Sequence, residues 1–320
     1  MDKYNNLESI QDNKTISFII PVLNEEGNIE LISKKIISIL KKNFNYEIIF
    51  IDDGSTDNTL LILKQLNKNN PKIKYLSFSR NFGHQSALRA ALDHAKGDCV
   101  ISLDGDFQHP PELIPDMIEK WEIGGYDIVN TIRKDDKKLS LFKRFSSKIF
   151  YHILNYFADI TIEPGSADFR LLDKKVVDSI KQFQESTLFF RGIIPWVGFK
   201  KCSIEYYPQK RFSGISKYSL RKMFQFAFNG ILSFSVKPLM MSIYIGISIS
   251  FLAFCYGLYA IIQKIILNNT ISGWASIIAV VSFVGGIQLI CLGIISLYLG
   301  KLFIDEKKRP IYIIREKSND

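Results

Sequence analysis

The sequence predicts an α/β protein with a doubly wound, mostly parallel sheet, followed by a pair of membrane-spanning helices. Three observations carry this. Short β-rich apolar runs alternate with helical patterns through the first part of the chain, the order of a parallel sheet covered on both faces. No charged side chain occurs over 239–262, nor again over 268–300, and each stretch exceeds the roughly 20 apolar residues that cross a bilayer. Acidic and turn-forming residues gather at the ends of the β-rich runs, where ligands of such sheets collect.

The strands are read at 16–23 (ISFIIPVL), 47–51 (EIIFI), 73–78 (IKYLSF), 99–103 (CVISL) and 128–132 (IVNTI). Near-continuous apolar runs are what a strand buried on both faces needs. Helical patterns fill the gaps at 28–41, 56–66 and 85–94. Beyond Arg133 the pattern changes. An amphipathic, aromatic-rich stretch covers 139–157, followed by the polar run Gly165-Ser166-Ala167-Asp168-Phe169-Arg170. A further amphipathic helix at 218–234 sets Phe224, Phe226 and Phe228 beside Arg221 and Lys222, a pattern suited to the membrane interface. The expected organisation is a polar body over 1–217, an amphipathic juxtamembrane helix over 218–235, two spans over 236–304 and a basic tail over 305–320.

Composition narrows the class. The chain has 320 residues, 47% hydrophobic and 23% charged, which excludes disordered, collagen-like and disulfide-scaffold proteins. The net charge of +9 is concentrated near the apolar stretches, at Arg221, Lys222, Lys237, Lys301, Lys307, Lys308, Arg309 and Arg315. Membrane lipid headgroups fit that distribution better than nucleic acid, so no nucleic-acid partner is expected. The start of the chain lacks an apolar segment behind a basic one, so no secretory signal is read there. The loop between the spans is uncharged, and the positive-inside rule places the body and both termini in the cytoplasm, with the protein integral to the inner or plasma membrane. Cys99, Cys202, Cys255 and Cys291 form no CxxC pair and are expected as free thiols.

Four polar clusters fall at the ends of predicted strands: Asn24-Glu25-Glu26, Asp52-Asp53-Gly54-Ser55-Thr56-Asp57, Arg80-Asn81-Phe82-Gly83 and Asp104-Gly105-Asp106. Each alone could be a turn or a helix cap. Four in register at one sheet edge point to a site. Asp104 and Asp106, two residues apart at a strand end, can share one hard divalent cation, Mg²⁺ or Mn²⁺, which favours carboxylates together with substrate phosphates. Gln108 can face the same ion. Pro110-Pro111-Glu112 behind them suits a helix start. His109 is read as structural or solvent-facing rather than as a ligand.

These motifs resemble a family. Pro21-Val22-Leu23-Asn24-Glu25-Glu26, Asp52-Asp53-Gly54-Ser55-Thr56-Asp57 and Asp104-Gly105-Asp106 are similar to family 2 glycosyltransferases of the GT-A fold. Asp104 to Glu112, Asp168-Phe169-Arg170, and Arg211 with Gly214-Ile215-Ser216-Lys217, resemble more narrowly the polyisoprenyl-phosphate glycosyltransferases, relatives of dolichol-phosphate mannose synthase. The C-terminal hairpin is similar to their bacterial members, which charge undecaprenyl phosphate with glucose. The resemblance implies that Pro21, Asn24 and Glu25 line the nucleotide pocket. It implies that Asp53 accepts hydrogen bonds from the base with Asp52 beside it, and that Asp104, Asp106 and Gln108 hold the metal. Arg133, Arg144, Arg211 and Lys217 would face donor and acceptor phosphates, and Asp168 would lie nearest a catalytic-base position. The implied partners are a nucleotide-sugar donor and a polyprenyl phosphate acceptor, with a homo-oligomer left open.

The implied reaction is transfer of a hexose, glucose from UDP-glucose first, with inversion at C1. GDP-mannose, UDP-galactose and UDP-N-acetylglucosamine stay open as donors, since one hydroxyl is discriminated only by local contacts. A processive synthase would need more spans and a Gln-x-x-Arg-Trp motif. A non-catalytic membrane scaffold is the remaining alternative, disfavoured by intact Asp104, Asp106, Asp168 and Arg211.

Overall fold

The computed structural model describes residues 14–40, 44–134, 155–157, 161, 163–185, 188–207, 230–231, 233–267 and 273–319. The expected site residues Arg144, Arg211 and Lys217 lie outside these, as do most of the expected amphipathic stretches at 139–157 and 218–235.

All five predicted strands form: β1 (Thr15–Val22), β2 (Asn45–Asp52), β3 (Ile73–Phe78), β4 (Cys99–Ser102) and β5 (Ile128–Arg133). The three predicted helices form as α1 (Ile29–Leu40), α2 (Thr59–Asn69) and α3 (His84–His94). A 3₁₀ turn (Pro111–Leu113) and α4 (Ile114–Glu122) then lead into β5. Three strands went unforeseen: β6 (Ser166–Asp173), β7 (Lys201–Tyr206) and β8 (Ile314–Lys317). Two shorter helices, α5 (Lys174–Lys181) and α6 (Phe190–Trp196), connect β6 to β7.

The eight strands make one sheet in the order β7-β5-β6-β4-β1-β2-β3-β8. The centre is parallel, with β1 beside both β2 and β4, and β2 beside β3. Strand β6 runs antiparallel to β4 and β5. This reversal matters for the site: the beginning of β6 lies at the same edge as the end of β4, with Ser102 opposite Arg170. The segment expected as a basic tail contributes β8, which pairs antiparallel with β3.

Alternate side chains of β1 explain the double winding. Phe18 and Ile20 point into one apolar layer with α1, α2 and α4, through Ile32, Ile36, Leu63, Met117 and Trp121. Ile19 points into the other with α3, α5 and α6, through Ala87, Leu88, Val176, Ile180 and Ile193. Each fully buried aliphatic or aromatic side chain contributes roughly 1.5–3 kcal/mol. Arg89 fastens this second layer, donating to the carbonyls of Lys181 and Phe183 at 2.8 and 2.9 Å while its Nε holds Asp93. Those carbonyls close α5, where a helix end needs cationic partners.

Two long helices follow, α7 (Lys237–Leu267) and α8 (Trp274–Glu306). Within them, Lys237–Ala260 and Ile277–Glu306 are long and apolar enough to cross a membrane, and none of either span is buried within the protein. Phe251 is 65% exposed and Leu289 71%. Side chains of that kind suit lipid contact, and the two helices are consistent with a membrane-anchored protein. At the end of the hairpin Tyr298 Oη donates to the Ser235 carbonyl at 2.8 Å, tying α8 to the chain entering α7.

Candidate active site

The strand ends of β1, β2, β3 and β4 and the start of β6 surround a cavity of about 550 Å³. Of the residues expected from the sequence, Pro21, Glu25, Asp53, Asp104, Asp106 and Asp168 line it. His84, Asn81, Gln85, Phe189 and Arg191 line it as well. Asn24, Asp52, Gln108 and Arg133 are not among its lining residues.

On the β1–β3 bank the polar side chains hold loops to one another. Asp52 is fully buried, and its carboxylate accepts from Ser55 N at 2.9 Å and Ser77 Oγ at 2.8 Å. Asp53 Oδ1 accepts from Phe82 N at 2.7 Å, and Asp53 Oδ2 accepts from Gly83 N at 3.0 Å. Burial pushes the Asp53 carboxyl up, against the lowering effect of those two N–H groups. Asn24, at φ +56°, accepts from Thr56 N at 2.8 Å and so joins the first and second strand-end loops. Gly54 has φ +76°, and a Cβ there would come within 2.7 Å of the Arg80 carbonyl carbon. Only glycine allows both that backbone conformation and that approach.

The β4–β6 bank is different. Asp104 is 37% exposed at its side chain and faces the cavity. Its backbone N–H donates to His109 Nδ1 at 3.2 Å. That contact leaves the imidazole proton on Nε2, which lies 3.6 Å from Asp104 Oδ2. His109 is itself buried and stacks on Phe169 with centroids 5.3 Å apart. It therefore braces Asp104 from behind, the structural role expected of it. Asp106 Oδ1 accepts from Gln108 N at 3.1 Å, and Phe107 between them adopts φ +60°, a strained conformation for an aromatic residue. Gly105 lies against the end of β1, where an added Cβ would meet Val22 Cγ1 at 3.1 Å. The Gln108 side-chain oxygen accepts from Arg133 Nη1 at 3.2 Å, which places these two expected site residues on each other.

Asp168 sits at the start of β6 with 8% of its surface exposed. Arg170 Nη2 reaches its Oδ1 at 2.7 Å, and Arg191 Nη2 its Oδ2 at 3.2 Å. His84 Nε2 stands 3.7 Å from Asp168 Oδ2 and 3.8 Å from Asp104 Oδ1, bridging the two carboxylates. Burial opposes the charge on Asp168. The Arg191 guanidinium, the His84 hydrogen bond and Arg170 outweigh it and hold the carboxyl well below the usual carboxylate range. Burial also opposes the imidazolium of His84, but Asp168 and Asp104 outweigh it and raise its pKa.

Sequence reasoning missed His84 and Arg191. His84 begins α3 directly after the Arg80-Asn81-Phe82-Gly83 cluster, so its place in the chain did signal the site edge. Arg191 had no local signal. The Gln85 side-chain oxygen accepts from Phe190 N at 3.1 Å, and this contact across 105 residues brings the starts of α3 and α6 together.

Asp104 and Asp106 at the sheet edge thus border one cavity together with Asp168, His84 and Arg191. The chain belongs to glycosyl transferase family 2, whose model matches residues 17–181. It is 41% identical over 301 residues to a prophage bactoprenol glucosyl transferase homolog of Escherichia coli (strain K12), covering 94% of this chain and 98% of that one. It is 40% identical over 303 residues to the bactoprenol glucosyl transferase of Shigella phage SfV, covering 94% and 98%. An uncharacterized glycosyltransferase, YkcC of Bacillus subtilis (strain 168), is 39% identical over 301 residues, covering 94% and 93%. Among solved structures, glucosyl-3-phosphoglycerate synthase from Mycobacterium tuberculosis with Mn²⁺ and UDP-glucose aligns with a TM-score of 0.45 at 19% identity, over 71% of this chain and 80% of that one.

Proposed function

We propose that the protein transfers glucose from UDP-glucose to the phosphate of a polyprenyl phosphate, giving a lipid-phosphate-linked sugar. The observation that carries this is the cavity bounded by Asp104, Asp106 and Asp168 on a body anchored by two lipid-facing helices. The names of the relatives support the lipid acceptor and the glucose.

The residues at the strand ends fit a divalent cation. Among the described residues no three acidic, histidine or cysteine groups converge on one point. Two hard carboxylates bordering the cavity suit an ion whose remaining ligands come from substrate oxygens, as Mg²⁺ and Mn²⁺ prefer. Asp104 and Asp106 would hold it, and when bound it would neutralise charge developing on the departing diphosphate. Gln108, engaged with Arg133, is an outer candidate.

The chain's own residues divide the remaining work. Pro21, Glu25 and Asp53 border the space for the nucleotide, with Asn24 and Asp52 holding the loops that shape it. Arg133, Arg144, Arg211 and Lys217 are the proposed phosphate-facing cations. The acceptor phosphate is already anionic at neutral pH and needs little help from a base. Asp168, with its proton affinity lowered, is a weak base and a strong anchor for cations. The reaction is then one in-line displacement at the sugar C1 with inversion; a product of retained anomeric configuration overturns that step. The basic residues flanking the spans support a body and termini on the cytoplasmic side.

The test supplies membranes containing the protein with undecaprenyl phosphate and, separately, labelled UDP-glucose, UDP-galactose, UDP-N-acetylglucosamine and GDP-mannose. Label extracted into organic solvent from UDP-glucose is the expected result. Lipid-linked label from another donor only corrects the sugar, and none from any donor overturns the reading.

A further inference from the structure

We infer that Arg191 contacts the phosphate of the membrane-borne acceptor, and that Asp168 serves to hold Arg191 at the cavity wall. The inference rests on the proposed function and extends it to a residue outside the phosphate-facing set derived from the sequence.

Charge is the first argument. The cavity lining carries Glu25, Asp53, Asp104, Asp106 and Asp168, yet Arg191 is the only lysine or arginine lining it among the described residues. An entering phosphate therefore meets one guanidinium fork on that lining. Arg170 cannot share the task, because it lies behind Asp168 with 3% of its surface exposed. Its Nη2 is spent on the Ala167 carbonyl at 2.9 Å and on Asp168 at 2.7 Å. Arg191 makes the longer contacts to the same carboxylate, 3.2 and 3.5 Å, and keeps 23% of its side chain exposed. Its guanidinium fork, held by Asp168 and still partly exposed at the cavity, suits bidentate recognition of phosphate.

Location is the second argument, and it distinguishes the acceptor from the donor. Asp53 and Asn81, at the ends of β2 and β3, form one side of the cavity. Arg191 stands on the other side, beyond β4 and next to β6. Its neighbour Phe189 touches Phe234, with ring centroids 6.0 Å apart, three residues before the first span begins. Ser233 lines this cavity and also a second one of about 560 Å³, which continues along Phe234, Val236, Tyr298, Lys301 and Leu302 at the end of the hairpin. The Arg191 wall is thus continuous with the part of the molecule that meets the membrane. A phosphate carried on a lipid arrives there, while a nucleotide diphosphate approaches from the β1–β3 side.

The test uses the full-length protein in detergent, with UDP-glucose as donor and farnesyl phosphate as the acceptor probe, and compares Arg191→Gln with the unaltered chain. The acceptor KM should rise about tenfold to a hundredfold, the loss expected for one charged hydrogen-bonding contact, while the donor KM stays within about twofold. A thermal shift on adding UDP with Mg²⁺ verifies that the variant is folded. If Arg191→Gln gives no such shift, Arg191→Lys, which keeps the charge and loses the fork, is measured in the same way and should raise the acceptor KM alone. An unmoved acceptor KM overturns the inference. A raised donor KM with an unmoved acceptor KM also overturns it, and assigns the guanidinium to the diphosphate. If the unaltered protein transfers no sugar to farnesyl or undecaprenyl phosphate, it is the proposed function that fails.

Discussion

The two banks of the cavity use carboxylates for opposite ends. On the β1–β3 bank, Asp52 and Asp53 point their oxygens at N–H and O–H groups of neighbouring loops, and those bonds hold the wall together. On the β4–β6 bank, Asp104 keeps an open face, and Asp168 collects two guanidiniums and an imidazole. An acidic motif at a strand end can therefore be tied to neighbouring loops or turned to the cavity, and its hydrogen-bond partners tell which.

Four substitutions sharpen or break that distinction. The largest effect is expected from Asp104→Asn. It removes a charge that no other carboxylate replaces, so turnover should fall at least about a hundredfold, with the melting temperature unchanged, as followed by product formation and thermal unfolding. A melting temperature that falls with activity would make Asp104 part of the scaffold.

Asp53→Asn should do the reverse. Its new amide group would face an N–H donor, costing about 1–3 kcal/mol, read as a lower melting temperature together with a raised donor KM. Unchanged stability would break the contrast between the banks.

Glu47 lies away from both banks and provides a reference. It is buried, accepts from Ser17 Oγ and Lys96 N, and pairs with Lys74 at 2.9 Å. Burial pushes its carboxyl up, but the Ser17, Lys96 and Lys74 contacts outweigh this and lower it. A lowered folded-state value means stability that is present above the unfolded pKa of about 4.3 and is lost as pH falls through the folded value. The melting temperature of Glu47→Gln should therefore lie below that of the unaltered protein at pH 7, with the gap closing in acid below pH ~4. A gap independent of pH would remove the charge from the explanation.

The smallest effect belongs to Asn24→Gly, since glycine keeps the left-handed backbone of this position allowed. Its exposed contacts to Thr56 are worth about 0.5–1.5 kcal/mol, a modest loss measurable by chemical denaturation. A loss as large as that of Asp53→Asn would show a loop junction stiffer than its exposure suggests.

The contrast also accounts for what could be read in advance. The five strands found from the sequence are four parallel ones in the sheet's interior, and β5, whose apolar run 128–129 is equally buried. Burial on both faces writes a continuous apolar run. Strand β6 is interior too, but Ser166, Asp168 and Arg170 interrupt its apolar residues, so polarity masks the strand. Strand β7 is an edge strand with a mostly half-exposed pattern, and β8 pairs with β3 across more than 230 residues, so neither leaves a local signature. At the site, Asp104, Asp106 and Asp53 were legible because short-range motifs carry them. Their division into loop-holding and cavity-facing carboxylates was not, since it depends on hydrogen bonds that tertiary folding supplies. His84 and Arg191 converge on Asp168 from positions 84 residues before and 23 residues after it; only the crossing of β6 brings them together.

The most direct test of the central claim is radiolabel transfer from UDP-glucose to undecaprenyl phosphate by the full-length protein in Mg²⁺ or Mn²⁺, compared with Asp104→Asn and with chelator added. The account predicts organic-phase label from the unaltered protein that is lost with either change. Equal label from the Asp104→Asn variant, or label that survives the chelator, would contradict it.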